Sequence, residues 1–144
     1  MSNKKAPTHL THKPIYAVND YDTMDGHYKN NSDVHALSIG RAQWDSSEFV
    51  PSVKVWRQKD GRWSRQSEET TLTRALDMAT LVIKIINHHY NGKEIEAINT
   101  VFGSIPVETV NTSLISELDK SLGAEKDDIN AHVEMLRAAL AEYK

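Results

Sequence analysis

Residues 53–90 read VKVWRQKDGRWSRQSEETTLTRALDMATLVIKIINHHY, and the fold turns on them. Val53–Gln58 and Arg62–Gln66 are strand-like runs on either side of Lys59-Asp60-Gly61. Asp-Gly between two such runs predicts a β-hairpin, because both positions accept positive φ. After Ser67 the period changes from two to 3.6. Leu72, Ala75, Leu76, Ala79, Val82, Ile83, Ile86 and Tyr90 follow helical spacing, and Met78, Leu81 and Ile85 widen the apolar surface. Only Thr73, Asp77, Thr80, Lys84 and Asn87 form a polar stripe. A helix apolar over most of its circumference needs cover on more than one side, so this one is expected to be buried. Ser67 is the expected N-cap, with Glu68 and Glu69 in the first turn and Asn91-Gly92 as the stop.

Upstream of this stretch, Ile15–Val18 suits a first strand and Val34–Gln43 a second. Between them lies a long polar loop, Asn19–Asp33, rich in turn formers. Residues 1–13 are polar, carry Lys4, Lys5, Lys13, His9 and His12, and have no period. They are expected to be a flexible arm before a single domain over 14–144. Downstream, Lys93–Phe102 leans to helix through Ile95, Ile98 and Phe102, although its β-branched residues also allow a strand. A short helix is expected over Thr112–Leu122, ended by Gly123. The last helix, Glu125–Tyr143, sets Ile129, Val133, Leu136, Leu140 and Tyr143 in alternating steps of four and three, a narrow packing seam. The resulting expectation is an α+β fold: an N-terminal antiparallel sheet of three or four strands, a buried central helix and C-terminal helices.

The 144 residues suffice for one ordinary core, so neither metal nor disulfide is required for folding. The chain has no cysteine, which excludes a disulfide scaffold, a thiolate zinc site, a redox dithiol and a cysteine nucleophile. Seventeen basic residues against 20 acidic give a net charge of −3, which argues against a purely electrostatic binder of nucleic-acid polymer. The longest apolar run, Met78–Ile86, contains Lys84 and is too short to span a bilayer. The first residues lack the apolar core of a secretory signal, so a soluble cytoplasmic protein is expected.

Charge departs most from this average in the hairpin. Residues 53–66 hold Lys54, Arg57, Lys59, Arg62 and Arg65 against Asp60 alone. A two-residue Asp60-Gly61 loop sets Trp56 opposite Arg65 and Gln58 opposite Trp63. One face then carries Lys54, Trp56, Gln58, Trp63 and Arg65, and the other carries Val53, Val55, Arg57, Arg62, Ser64 and Gln66. Tryptophans beside arginines suit a flat anionic ligand, with the ring stacked and the phosphate gripped bidentately. Trp56, Arg57, Arg62, Trp63, Arg65 and Gln66 are therefore the candidate binding residues. The bland alternative is an amphipathic strand pair with its tryptophans in the core. Glu68 or Glu69 could also pair with Arg57 or Arg65 and orient it.

Other constellations carry less. A calcium loop starting at Asp20 would need Gly at position 25, where Asp25 stands, and an acidic residue where Asn31 stands. His9, His12, His27, His35, His88, His89 and His132 form no zinc spacing, and no metal or cofactor is expected. His9-Leu10-Thr11 is half of a two-histidine phosphoesterase signature whose second half is missing. No Gly-x-Ser-x-Gly and no phosphate-binding glycine loop occurs, though sequence alone leaves open a serine matched with a distant histidine and acid.

KVWRQKDGRWSRQSEETTLTRAL, with THLTHKPIYAVNDYD near the start, resembles a small domain family of bacteria and their phages whose activity is unassigned. A looser likeness of size, element order and Arg/Trp hairpin is to phage nucleotide-sponge proteins, which sequester signals of bacterial immunity. That likeness implies an anti-defence role. Residues and resemblance together lead to an expected non-enzymatic binding module for a small anionic ligand, a nucleotide in the first instance. A protein-interaction module using the hairpin or the C-terminal seam is the alternative, and an enzyme the third class. The unusually broad apolar helix also leads to an expectation of self-association.

Overall fold

The computed structural model describes residues 5–44, 47, 49–64 and 68–144. The fold is α+β, with an N-terminal antiparallel sheet followed by helices. The chain forms two compact units, Met1–Leu76 and Asp77–Lys144.

In the first unit, β1 (Lys13–Asn19), β2 (Val34–Arg41), β3 (Pro51–Lys59) and β4 (Arg62–Trp63) lie in that order, and β5 (Glu68–Thr71) also pairs with β3. The hairpin has the register that a two-residue loop requires: Gln58 pairs with Trp63 and Lys59 with Arg62. Asp60 and Gly61 sit at φ 53° and 75°, which makes the turn of the primed kind that matches strand twist. The expected pairing of Trp56 with Arg65 lies outside the described residues, as do Gln66 and Ser67.

Glu68–Thr71 corrects the expected helix start. These residues form a strand antiparallel to β3, with Lys54 opposite Glu69 and Val55 opposite Glu68. Two glutamates ahead of an apolar period look like a first helical turn, but Thr70 and Thr71 are β-branched and pair with Val53 and Ser52. The helix α1 begins at Leu72 and runs to Asn91. Thr71 Oγ1 accepts the backbone N–H of Arg74 at 3.3 Å, the cap expected of Ser67.

Alternation along β2 and β3 gives the sheet two unlike faces. Ala36, Ser38 and Gly40 pair with Trp56, Lys54 and Ser52, and all six are buried. Leu37 and Ile39 pair with Val55 and Val53 on the opposite face. A register shift between Val34 and Ala36 puts Val34 opposite Arg57, on the Leu37 face. Gly40 is required where β1 crosses, because a Cβ there would lie 2.0 Å from the Lys13 carbonyl oxygen and 2.7 Å from Pro14 Cα.

The expected arm ends earlier than residue 13. Lys13 pairs with Arg41 in β1, and His12 is fully buried. A polar stretch without period gave no sign of this, because a buried histidine is held by hydrogen bonds and not by apolar patterning.

In the second unit, α1 ends where Gly92 at φ 67° donates its N–H to the His88 carbonyl. Residues 93–102 are not the expected helix: Ile98–Thr100 (β6) pairs with Gly103–Ile105 (β7) in a hairpin. Helices α2 (Ile115–Ala124) and α3 (Lys126–Glu142) follow, with Gly123 inside α2 and Glu125 alone between them. Tyr90 donates its hydroxyl to the Leu122 carbonyl at 2.7 Å, and His89 Nδ1 lies 2.9 Å from Asp119 Oδ1, which ties the end of α1 to α2. On α1 itself Ile86 is buried, whereas Leu76, Met78, Leu81 and Val82 are exposed in the single chain, against the expectation of a helix enclosed on several sides.

Candidate functional site: a pocket on one sheet face and a polar network on the other

The loop Asn19–Asp33 is folded into two 3₁₀ turns, Tyr21–Thr23 and Gly26–Tyr28. Left-handed residues at Asp20, Gly26 and Asn30 turn it back over the sheet, a conformation that Asp, Asn and Gly tolerate. Thr23 Oγ1 bonds the Asp20 carbonyl, and Asn30 N–H reaches the Asp22 carbonyl at 2.7 Å. These local bonds give a polar loop a definite shape.

Between this loop and the Leu37–Val55 face lies a cleft of about 570 Å³. Tyr21, Asp25, Tyr28, Asn31, Ser32 and Asp33 line it from the loop side. Val34, Leu37, Val55, Arg57 and Glu68 line it from the strands. That volume falls within the range of small-molecule sites, and the lining joins apolar floor to polar rim.

The polar groups of the cleft hold one another in place. Ser32 Oγ donates to Asp25 Oδ2 at 2.5 Å and accepts the Val34 N–H at 2.9 Å. Burial raises the pKa of the Tyr21 hydroxyl, and the nearby Asp25 carboxylate, to which it is hydrogen-bonded, raises it further. Arg57 donates through one terminal nitrogen to Asp33 Oδ1 at 2.7 Å and through Nε to Glu68. The bond to Glu68 raises the Arg57 pKa most, partly offset by desolvation, and both carboxylates add to the rise. The pairing of Glu68 with Arg57 is one of those anticipated from sequence.

The buried face is a closed hydrogen-bonded network. His12 Nδ1 lies 2.7 Å from Glu69 Oε1 and 3.0 Å from Ser52 Oγ, and Nε2 lies 3.0 Å from Ser38 Oγ. A carboxylate only accepts, so Nδ1 carries the proton and Nε2 accepts the Ser38 hydroxyl. Ser38 Oγ in turn accepts the Trp56 indole N–H at 2.8 Å. Lys54 Nζ lies 4.2 Å from the Trp56 ring centre, and Trp63 meets Trp56 edge-on at 5.8 Å. Desolvation lowers the Lys54 pKa, against the opposing pull of Glu69.

Ser38, His12 and Glu69 thus have the connectivity of a nucleophile with its base and orienting acid. Ser38 is only 5% exposed and its oxygen is engaged by Trp56, so this arrangement reads as a structural network. Sequence reasoning missed it, since His12 lies 57 positions from Glu69 and nothing local connects them.

Of the hairpin residues singled out from sequence, Trp56 and Trp63 are brought together edge-on, whereas Arg57 and Arg62 do not join them. Trp56 is 1% exposed, with His12, Lys54 and Trp63 against its ring. Arg57 lines the cleft on the other face, and Arg62 is exposed at the hairpin end. Arg65 and Gln66 lie outside the described residues. The pocket was legible only in part: the length and turn chemistry of Asn19–Asp33 marked that loop, but not the face it covers. Among the described residues, no group of three or more His, Asp or Glu side chains is placed to hold a metal ion.

The family of unknown function DUF6530 matches residues 4–144. The chain belongs to this family. The match spans both units. No curated protein and no solved structure matches the chain. Among the described residues, no helix is long and apolar enough to cross a membrane.

Proposed function

We propose that the protein is a non-enzymatic binding module for a small molecule, which it takes into the cleft between the Asn19–Asp33 loop and the Leu37–Val55 face. The observation that supports this reading most is the cleft itself. About 570 Å³ is walled by two tyrosines, floored by Leu37 and Val55, and rimmed by side chains fixed in place by Ser32 and Arg57. Preorganised polar groups around an apolar floor reduce the ordering cost of binding. Of the six hairpin residues named from sequence, Arg57 is the member that this reading retains.

A small anion, such as the nucleotide anticipated from the hairpin, would meet Arg57 already bonded to two carboxylates. It would have to displace Asp33 or Glu68 to gain a bidentate grip. The molecular class is therefore better judged from the whole lining than from the arginine.

Native mass spectrometry of the protein isolated from cells tests the reading. A co-purifying small mass is expected on the wild-type chain. It should be lost from Tyr28→Ala, which removes a largely exposed side chain, and from Val55→Phe, which fills the floor. A bound mass that persists in both folded variants would place the ligand elsewhere.

A further inference from the structure

We propose that the ligand of this cleft is a small organic ammonium compound with an aromatic or apolar body; this rests on the reading of the cleft as a ligand site. Among the described residues, three carboxylates, Asp25, Asp33 and Glu68, line the cleft with one guanidinium, that of Arg57, a formal surplus of two negative charges. Arg57 offsets part of the charge of Asp33 and Glu68, but each carboxylate has about four lone-pair sites and keeps unused acceptor capacity. Asp25 receives its bonds from the neutral hydroxyls of Ser32 and Tyr21.

The walls fit the rest of such a molecule. Tyrosine faces attract cations, by about 0.5–1 kcal/mol at exposed sites, and Tyr21 and Tyr28 both line the cleft. Val34, Leu37 and Val55 offer apolar contact to the body that carries the charge. An anion of the same size would gain that apolar contact but would face the surplus carboxylates. The sheet geometry produces this asymmetry directly. Glu68 reaches the cleft face because it pairs with Val55, while its neighbour Glu69 turns to His12 on the other side.

Three probes that share a phenethyl group separate the possibilities: phenethylamine, 2-phenylethanol and 3-phenylpropionate, with adenosine monophosphate as a fourth. Each is titrated into the full-length chain while backbone and tyrosine resonances are followed. Phenethylamine should shift Tyr28, Asn31 and Val55 and bind about five- to tenfold more tightly than the alcohol, the order that one cation–π contact and one ion pair supply. Glu68→Gln and Asp25→Asn should each reduce that preference for the amine, as should added salt. Stronger binding of the propionate or the nucleotide at the same resonances would overturn the ammonium class and leave the cleft as a ligand site. Shifts by all four probes of equal strength would overturn the class in the same way. Absence of any shift at these residues would overturn both the class and the cleft reading.

Discussion

His12 Nδ1 lies 2.7 Å from Glu69 Oε1, with both side chains sealed from solvent. The pair joins the residue that precedes β1 to the strand that precedes α1. Gln43 adds its backbone N–H to the same carboxylate at 3.2 Å. Strands far apart in sequence are thereby fixed around β3 through polar atoms, where an apolar core would usually serve. The cost of such an arrangement is that every member depends on its partners.

His12 should make stability fall on acidification. Burial lowers its pKa below the ordinary value of 6.5, with Lys54 lowering it further and Glu69 opposing. Between the folded and unfolded values the unfolded chain binds the extra proton, so stability rises with pH there. The contribution is complete above 6.5 and is lost as pH falls below it. Urea denaturation at about pH 7.5 and about pH 5.5 should show a larger loss for wild type than for His12→Gln. Equal losses would remove His12 from this role.

Deleting residues 1–12 should lower stability markedly, contrary to what an unstructured arm predicts. The deletion leaves Glu69, Ser38 and Ser52 without their common partner. A loss of about 2–4 kcal/mol is expected, the range for breaking a buried hydrogen-bonded network. An unchanged thermal midpoint would contradict the packing of His12.

Gly40→Ala should detach β1 from β2. The new methyl would stand 2.0 Å from a backbone oxygen, which no side-chain rearrangement can relieve. Destabilisation of about 3 kcal/mol or more is expected, with loss of exchange protection across residues 13–19. Gly61→Ala, by contrast, meets open space and is strained only by its φ of 75°, for a cost of about 1–2 kcal/mol.

Copies of the chain should associate at micromolar concentration. Leu76, Met78, Leu81 and Val82 are exposed along α1, while of the C-terminal seam Ile129, Val133 and Leu136 are half-buried and Leu140 and Tyr143 exposed. Light scattering during size exclusion should give at least twice 16.3 kDa. Met78→Glu with Val82→Glu should shift that mass toward the monomer, and a wild-type monomer would contradict the expectation.

What the sequence disclosed and what it concealed have a common physical basis. The Asp60-Gly61 hairpin and the period of α1 are local signals, and both appear with the register and the stop expected of them. The strand Glu68–Thr71 was concealed because pairing with Ser52–Val55 fixes it, and the β-branched Thr70 and Thr71 signal a strand too weakly to outweigh the glutamates ahead of the helical period. Strand alternation puts Trp56 on the face of Lys54 and Gln58, but which sheet face is sealed depends on what packs over it and not on periodicity. The cleft depends on left-handed turns at Asp20 and Asn30, which bring Tyr21 and Tyr28 over Val55 from more than 25 positions away.

Chemical-shift mapping with a mixed library of cationic, neutral and anionic small molecules decides whether the cleft is the binding site. Binders should shift Tyr28, Asn31, Ser32 and Val55 together and leave the Trp56 indole N–H, held by Ser38, unmoved. Binders that shift Trp56 and Trp63 while leaving Tyr28 and Val55 unchanged would contradict the cleft reading.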